Sequence, residues 1–292
     1  MLQELLSIVL PVFGCALVGF IWKRVKPELD EETLSELTVY IGSPCLIFHA
    51  LVTAESSPEA LRSMGLYALI GISSTIALSA VFLRMARIEA SSFLGPLSFG
   101  NTGNLGIPIC FFAFGNEGKA LGIAYFGVSF LMNSVVGELL FSGHFALKRV
   151  LRSPLVYAAI LSVIVVGFEL EVPTTVLRTT ELLGGLAIPL MLIALGASLA
   201  RLAGVKMQKS IALAGMRFVL GLIPALALAA FFELDHRATG VLLLQSTTPV
   251  GVFNYVLARH YAREPDQVAG LIFASTLLAI LTIPAMLIVL LG

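Results

Sequence analysis

Two short polar stretches interrupt apolar sequence: NTGNLGIP at residues 101–108 and QSTTPVGVFN at residues 245–254. The first offers the amides of Asn101 and Asn104, the hydroxyl of Thr102, and the helix-disrupting Gly106 and Pro108. The second offers Gln245, Thr247, Thr248, Pro249, Gly251 and Asn254. Neither stretch holds a carboxylate or an imidazole, so the chemistry on offer is recognition by hydrogen bonds. A helix broken at such a place frees the N–H groups of the half-helix that follows and presents the positive end of its dipole, which suits an anion. The carbonyls at the ends of the preceding half-helices, near Gly100 and Gln245, suit a cation or a polar group. Asn101, Thr102, Asn104, Gly106, Thr247, Thr248, Pro249, Gly251 and Asn254 are therefore the expected substrate contacts, with N–H groups near residues 106–109 and 251–254 completing the site.

The elements that carry these stretches are set by composition. The chain has 292 residues, is 58% hydrophobic and 12% charged, and has a mean hydropathy of +0.98. A soluble domain this apolar could not cover its surface, so the class is an all-α polytopic membrane protein. Ten apolar segments are expected, near 3–22, 34–53, 62–83, 91–114, 119–143, 154–170, 176–199, 210–232, 237–258 and 267–291. The first lacks a basic stretch before it and reads as a retained transmembrane helix, not a leader. There is no basic stripe for nucleic acid. Cys15, Cys45 and Cys110 are scattered in apolar segments, which speaks against a disulfide framework or a zinc site.

Loops after odd-numbered segments hold thirteen Lys and Arg residues, the opposite side four, and Arg217 stands inside segment eight. The positive-inside rule then predicts a multi-pass protein of the cell inner (plasma) membrane with both termini outside the cytoplasm.

The two halves repeat. Pro44 lies 62 residues before Gly106, Pro189 lies 62 before Gly251, and Thr102 matches Thr247. Each half has five segments, an odd number, so the second half enters the membrane inverted. The expected repeats are 1–145 and 146–292, with helix breaks at Pro44, Pro108 and Pro189 and at the fourth and ninth segments. Non-helical backbone at membrane depth must be buried in protein or face water, so segments four and nine should meet at the midplane.

Other polar residues could serve ion coupling. Glu138 in segment five is ionisable at depth and could pair with Arg217 or carry a proton. Ser129 and Asn133 share a helix face and, with Gln245, Ser246 and Thr247, could ligate sodium; hydrogen bonds between packed helices are the plainer reading. His49 and His144 have no metal-ligand companion at i+4, GNEGKA at 115–120 lacks the spacing of a phosphate loop, and Gly118 and Gly122 suit helix packing. No metal ligand set and no cofactor is expected, beyond a sodium ion or proton as coupling ion.

NTGNLGIP (101–108), LKRVLRSPLVYAAILSV (147–163) and TPVGVFNYVLARHYAREPDQVAGLIFASTLLAILTIPAML (248–287) resemble the auxin efflux carrier family, which includes plant PIN carriers and bacterial permeases linked to dicarboxylates. The resemblance covers essentially the whole chain. It implies ten helices in two inverted five-helix repeats, crossed helices four and nine, a fold related to the sodium–bile acid symporters, homodimers, and an elevator mechanism. In that mechanism segments 1–2 and 6–7 form a scaffold and segments 3–5 and 8–10 a mobile core. The family's crossover Asn falls on Asn101, and the Pro-x-Gly of its second crossover on Pro249 and Gly251. Val250 replaces a polar residue of the plant members, Asn104 is an extra amide, and the long hydrophilic loop of the plant carriers is missing. These departures point away from auxin itself.

The expected function is secondary transport of small organic anions, carboxylates in particular. A sodium-coupled importer like the bile-acid symporters is the alternative, ahead of a channel or receptor-like protein. An intramembrane enzyme is disfavoured, because HExxH, Ser/His and paired-Asp arrangements at depth are missing from the sequence.

Overall fold

The computed structural model describes the backbone of residues 2–54, 56–142, 152–168, 170–202 and 210–291, without the side chains at 2–9, 31, 32, 35, 138, 142, 202 and 291. The Glu138 side chain, and hence its pairing with Arg217, lies outside the described residues, as do His144 and the basic loop residues Lys148, Arg149, Lys206 and Lys209.

The described chain is helical. In order come α1 (Leu2–Val25), α2 (Glu31–Leu37), a π-helical turn (Thr38–Gly42), α3 (Ser43–Val52), α4 (Pro58–Ala86) and α5 (Ala90–Ser98). A second π-helical turn (Thr102–Gly106) leads into α6 (Ile107–Met132), and a third (Asn133–Gly137) into α7 (Glu138–Ser142). Then follow α8 (Pro154–Gly167), α9 (Thr174–Gly185), α10 (Ala187–Leu202), α11 (Ser210–Phe231), α12 (His236–Ser246), α13 (Phe253–His260) and α14 (Pro265–Leu291). Local sequence sets several boundaries. Ser57 caps α4 by accepting from the Ala60 N–H at 3.2 Å, and Pro58 takes the first turn, where its missing N–H costs nothing. Asp235 caps α12 by accepting from the N–H groups of Arg237 (2.8 Å) and Ala238 (2.9 Å).

This is an all-α polytopic membrane protein. Large apolar side chains such as Ile160, Val163, Leu226, Leu281 and Val289 point outward from α8, α11 and α14, faces that suit lipid. Among the described residues, five helical runs are long and apolar enough to cross a bilayer: Pro58–Ala86, Thr102–Phe141, Thr174–Arg201, Ser210–Phe231 and Pro265–Leu290. That is fewer than the ten segments read from hydropathy. One reason is that half-helices such as α5, α12 and α13 are too short to span alone. Another is that segments four and five merge in a single helical run. Gly115 divides that run with φ 65° and ψ −153°, a backbone that glycine adopts without strain. The chain folds back there, and Gly118 and Gly122 pack their bare faces on Cys110.

The helices pack in two sets. In the first, α1 lies against α10 with the backbones touching: a Cβ at Gly19 would run into the Ile193 carbonyl, and one at Gly196 into that of Ala16. Likewise α3 lies against α8 and α9, and a Cβ at Gly184 would stand 2.9 Å from the Leu46 nitrogen. In the second set, α4 packs on α5, α6, α11 and α12, and α11 packs on α12 and α14. The main core lies here, built on Met64, Ile72, Leu105, Ile109, Leu242 and Leu287.

These contacts are matched across the halves. A shift of 145 residues, the separation of Pro44 and Pro189, turns the α1–α10 contact into α8–α3 and the α4–α5 contact into α11–α12. The Thr75 hydroxyl donates to the Leu220 carbonyl at 3.4 Å, joining two positions related by that same shift.

Candidate functional site

The two interrupted segments meet. After α5 the chain opens at residues 99–101, and after α12 at residues 247–252. The open stretches pair antiparallel at Gly100 and Val250. The Asn101 N–H donates to the Pro249 carbonyl at 2.7 Å, and the Gly251 N–H donates to the Phe99 carbonyl at 3.1 Å. The Val250 N–H is taken by the Ser275 hydroxyl of α14 at 3.1 Å. Each break thus satisfies the other's backbone, the condition for irregular chain at membrane depth.

Glycine is required where the backbones touch. A Cβ at Gly251 would stand 2.9 Å from the Gly100 oxygen, and one at Gly106 would run into the Gln245 side chain. The 145-residue shift carries Gly100 onto Gln245 and Gly106 onto Gly251, so the two close approaches are one contact made twice.

The half-helix after the first break starts earlier than its proline suggests. The N–H of Gly106 closes on the Asn101 carbonyl at 3.0 Å, and that of Ile107 on the Thr102 carbonyl. Pro108 sits in the first turn of α6. The first turn of this half-helix is therefore Thr102–Asn104, and the donors expected at Gly106, Ile107 and Gly251 are spent inside the protein.

The side chains fall into three groups. Asn101 is 6% exposed, and its Nδ2 donor has no hydrogen-bond partner among the described residues. Asn104 is half-buried beside it in sequence. The second group ties segments together. The Thr102 hydroxyl donates to that of Ser129 (3.2 Å), Gln245 Nε2 donates to the Gly122 carbonyl (3.0 Å), and the Tyr125 and Ser246 hydroxyls bond at 3.1 Å. Thr247 donates to its own helix at Leu243 (2.7 Å), and Thr248 to the Gln245 carbonyl (2.8 Å). Asn254 is fully buried and gives its Nδ2 to the carbonyls of Phe99 (3.1 Å) and Gly251 (3.0 Å). Asn133 lies on the π-helical turn that follows α6, where its Oδ1 is buried without a partner among the described residues. The third group is Arg217, on α11 and 3% exposed, whose Nη1 donates to the Ser246 carbonyl at 3.0 Å.

A cavity of about 420 Å³ lies between the two packing sets. The first set lines it with Leu46, His49, Thr180 and Pro189, and the second with Phe112 and Lys119. The His49 ring is held by its Nδ1 against the Leu177 carbonyl at 3.1 Å. Pro189 stands exposed on this wall, and Pro44 lies in the first turn of α3. No cluster of three His, Cys, Asp or Glu side chains suited to a metal occurs among the described residues.

A family model described as membrane transport protein matches the chain twice, over residues 5–142 and 137–287. The chain belongs to the membrane transport protein family. The resemblance to auxin efflux carriers is therefore borne out at the level of the family. Two archaeal proteins are similar over nearly their whole length. An uncharacterized transporter of Methanocaldococcus jannaschii is 28% identical over 299 residues, covering 95% of this chain and 96% of its own. An uncharacterized transporter of Methanothermobacter thermautotrophicus is 29% identical over 296 residues, covering 94% and 95%. The two family matches overlap at residues 137–142.

Several residues of this family member's crossing escape sequence reasoning. Ser275, Tyr125 and the Phe99 carbonyl act through hydrogen bonds from ordinary positions in apolar sequence, and nothing in their spacing marks them. Lys119 stands in the stretch set aside as an unlikely phosphate loop, yet it lines the cavity.

Proposed function

We propose that the protein is a secondary transporter of small organic anions, carboxylates in particular, which bind at the crossing of segments four and nine. The observation that carries this reading is the buried Asn101 amide, a donor in the first break with no partner among the described residues. A buried donor without an acceptor costs about 1–3 kcal/mol, a penalty that a carboxylate oxygen would remove. The early start of the following half-helix at Thr102 adds free N–H groups and a positive dipole end next to that amide.

The carrier works as an elevator in this reading. The set built on α1, α3, α8, α9 and α10 is the scaffold, and the set holding the crossing is the mobile core. The matched contacts of the two halves support two inverted five-segment repeats. The cavity lies along the seam where one set would slide past the other, with Lys119 on its core side and Glu181 on its scaffold side. In the topology set by the basic loops, this cavity opens to the outside.

Binding of carboxylates to the purified protein, followed by thermal stabilisation, tests the site. Asn101→Ala should weaken binding ten- to over a hundred-fold, about 1.5–3 kcal/mol for a hydrogen bond to a charged group. Unchanged affinity would place the substrate elsewhere. Sodium coupling is the competing reading: of the residues it would use, the Ser129 and Thr247 hydroxyls are already hydrogen-bonded, while Gln245 Oε1 and Asn133 Oδ1 are buried without a hydrogen-bond partner among the described residues and could face an ion.

A further inference from the structure

Arg217 is a charge buried at membrane depth, and such groups are costly unless they serve a function. Its guanidinium lies in a slot between the two breaks. Nη1 donates to the carbonyl of Ser246, the last residue of α12. Nη2 faces Gly100, just past the end of α5, where an added Cβ would stand 2.5 Å from it and would also strike the Thr248 hydroxyl. Gly221, one turn further along α11, leaves the remaining space: a Cβ there would lie 2.7 Å from Nη1 and would meet the Ser246 carbonyl. A void of about 10 Å³, no larger than a water site, adjoins Arg217 and is lined by Thr247, Thr248, Pro249, Ser275 and Thr282.

The charges balance at this point. Two helix C-termini end here, and each carries roughly half an elementary negative charge, so together they match about one guanidinium. Carbonyl ends of broken helices are also where a carrier would hold a free coupling cation. The 145-residue shift places Ile72 at the position equivalent to Arg217, so only one half of the chain supplies this charge.

The geometry points to Arg217 as a resident cation: its guanidinium fills the carbonyl-lined cation site of the crossing, and no sodium ion is taken up there. The inference rests on the crossing being the transport site, but its test needs no substrate. It also explains how an anion can be held near the crossing without a co-bound metal ion.

The test is chemical replacement. Arg217→Ala, purified in detergent, should unfold at a lower temperature than the wild type. Methylguanidinium should raise the midpoint of the variant by roughly 3 °C or more, while leaving the wild type unmoved. Urea, similar in shape but uncharged, should not replace it. Arg217→Lys, which keeps the charge, should stay closer to wild type. The wild type itself should show the same midpoint in sodium and in choline, which keeps the inference testable even if Arg217→Ala does not fold. A sodium-dependent rise in the wild type would overturn it. So would failure of methylguanidinium to stabilise a folded Arg217→Ala protein. Recovery of Arg217→Ala by Glu138→Gln in place of an added cation would assign the counter-charge to a carboxylate and would equally overturn it.

Discussion

Two asparagines flank the crossing, and their surroundings give them different work. Asn101 holds a buried Nδ2 with no partner among the described residues, whereas Asn254 spends its Nδ2 on the Phe99 and Gly251 carbonyls. The spacing of the sequence treats them alike, as amides beside a break, because it cannot tell a satisfied donor from a free one. Substitution can. Asn254→Ala should lower stability by about 0.5–1.5 kcal/mol for each hydrogen bond lost, since the Phe99 and Gly251 carbonyls keep their backbone donors. The folded fraction should still bind carboxylates with near-normal affinity. Asn101→Ala should do the reverse, keeping the unfolding midpoint and losing affinity. Denaturation curves measured with and without a carboxylate would separate the two, and equal behaviour of both variants would contradict this division.

At the scale of elements, the breaks were legible because helix-disrupting residues stand out in apolar sequence: Gly100, Gly106 and Pro108 in one segment, Pro249 and Gly251 in the other. Their mutual pairing was not legible. It runs through backbone groups of Phe99, Asn101, Pro249 and Gly251, which every residue type carries, so no side-chain pattern announces it. The same limit hid the start of the half-helix at Thr102: Pro108 marks a helix beginning, but a π-helical turn lies in front of it. The two equal intervals of 62 residues in the sequence have a counterpart in three dimensions, the doubled contact Gly100–Gly251 and Gln245–Gly106. That contact makes a prediction. Gly106→Ala should cost about 1–3 kcal/mol by overpacking against Gln245, and Gln245→Ala in the same chain should return much of it. A double-mutant cycle of unfolding free energies measures the coupling, and additive losses would mean that the two residues do not press on each other.

For the whole molecule, the two packing sets and the cavity between them suggest relative motion, and the cavity offers a place to probe it. Thr180 lies on its scaffold wall, partly exposed. With Cys45, itself partly exposed, replaced by serine, Thr180→Cys should react with a membrane-impermeant thiol reagent added from outside. The bulky label should stop transport, and a transported carboxylate should change the labelling rate by shifting the population of outward-open protein. Labelling from the cytoplasmic side alone would reverse the proposed topology. Buried Cys110 should stay unlabelled in the folded protein.

The central claim is that the crossing carries a carboxylate across the membrane. Counterflow in proteoliposomes tests it most directly: vesicles loaded with an unlabelled carboxylate are diluted into the radiolabelled compound, with wild type and Asn101→Ala compared at equal reconstitution. The wild type should show saturable, transient accumulation, and Asn101→Ala a half-saturation concentration at least ten-fold higher. Equal half-saturation in the two proteins, or ion conductance at channel rates in place of exchange, would contradict it.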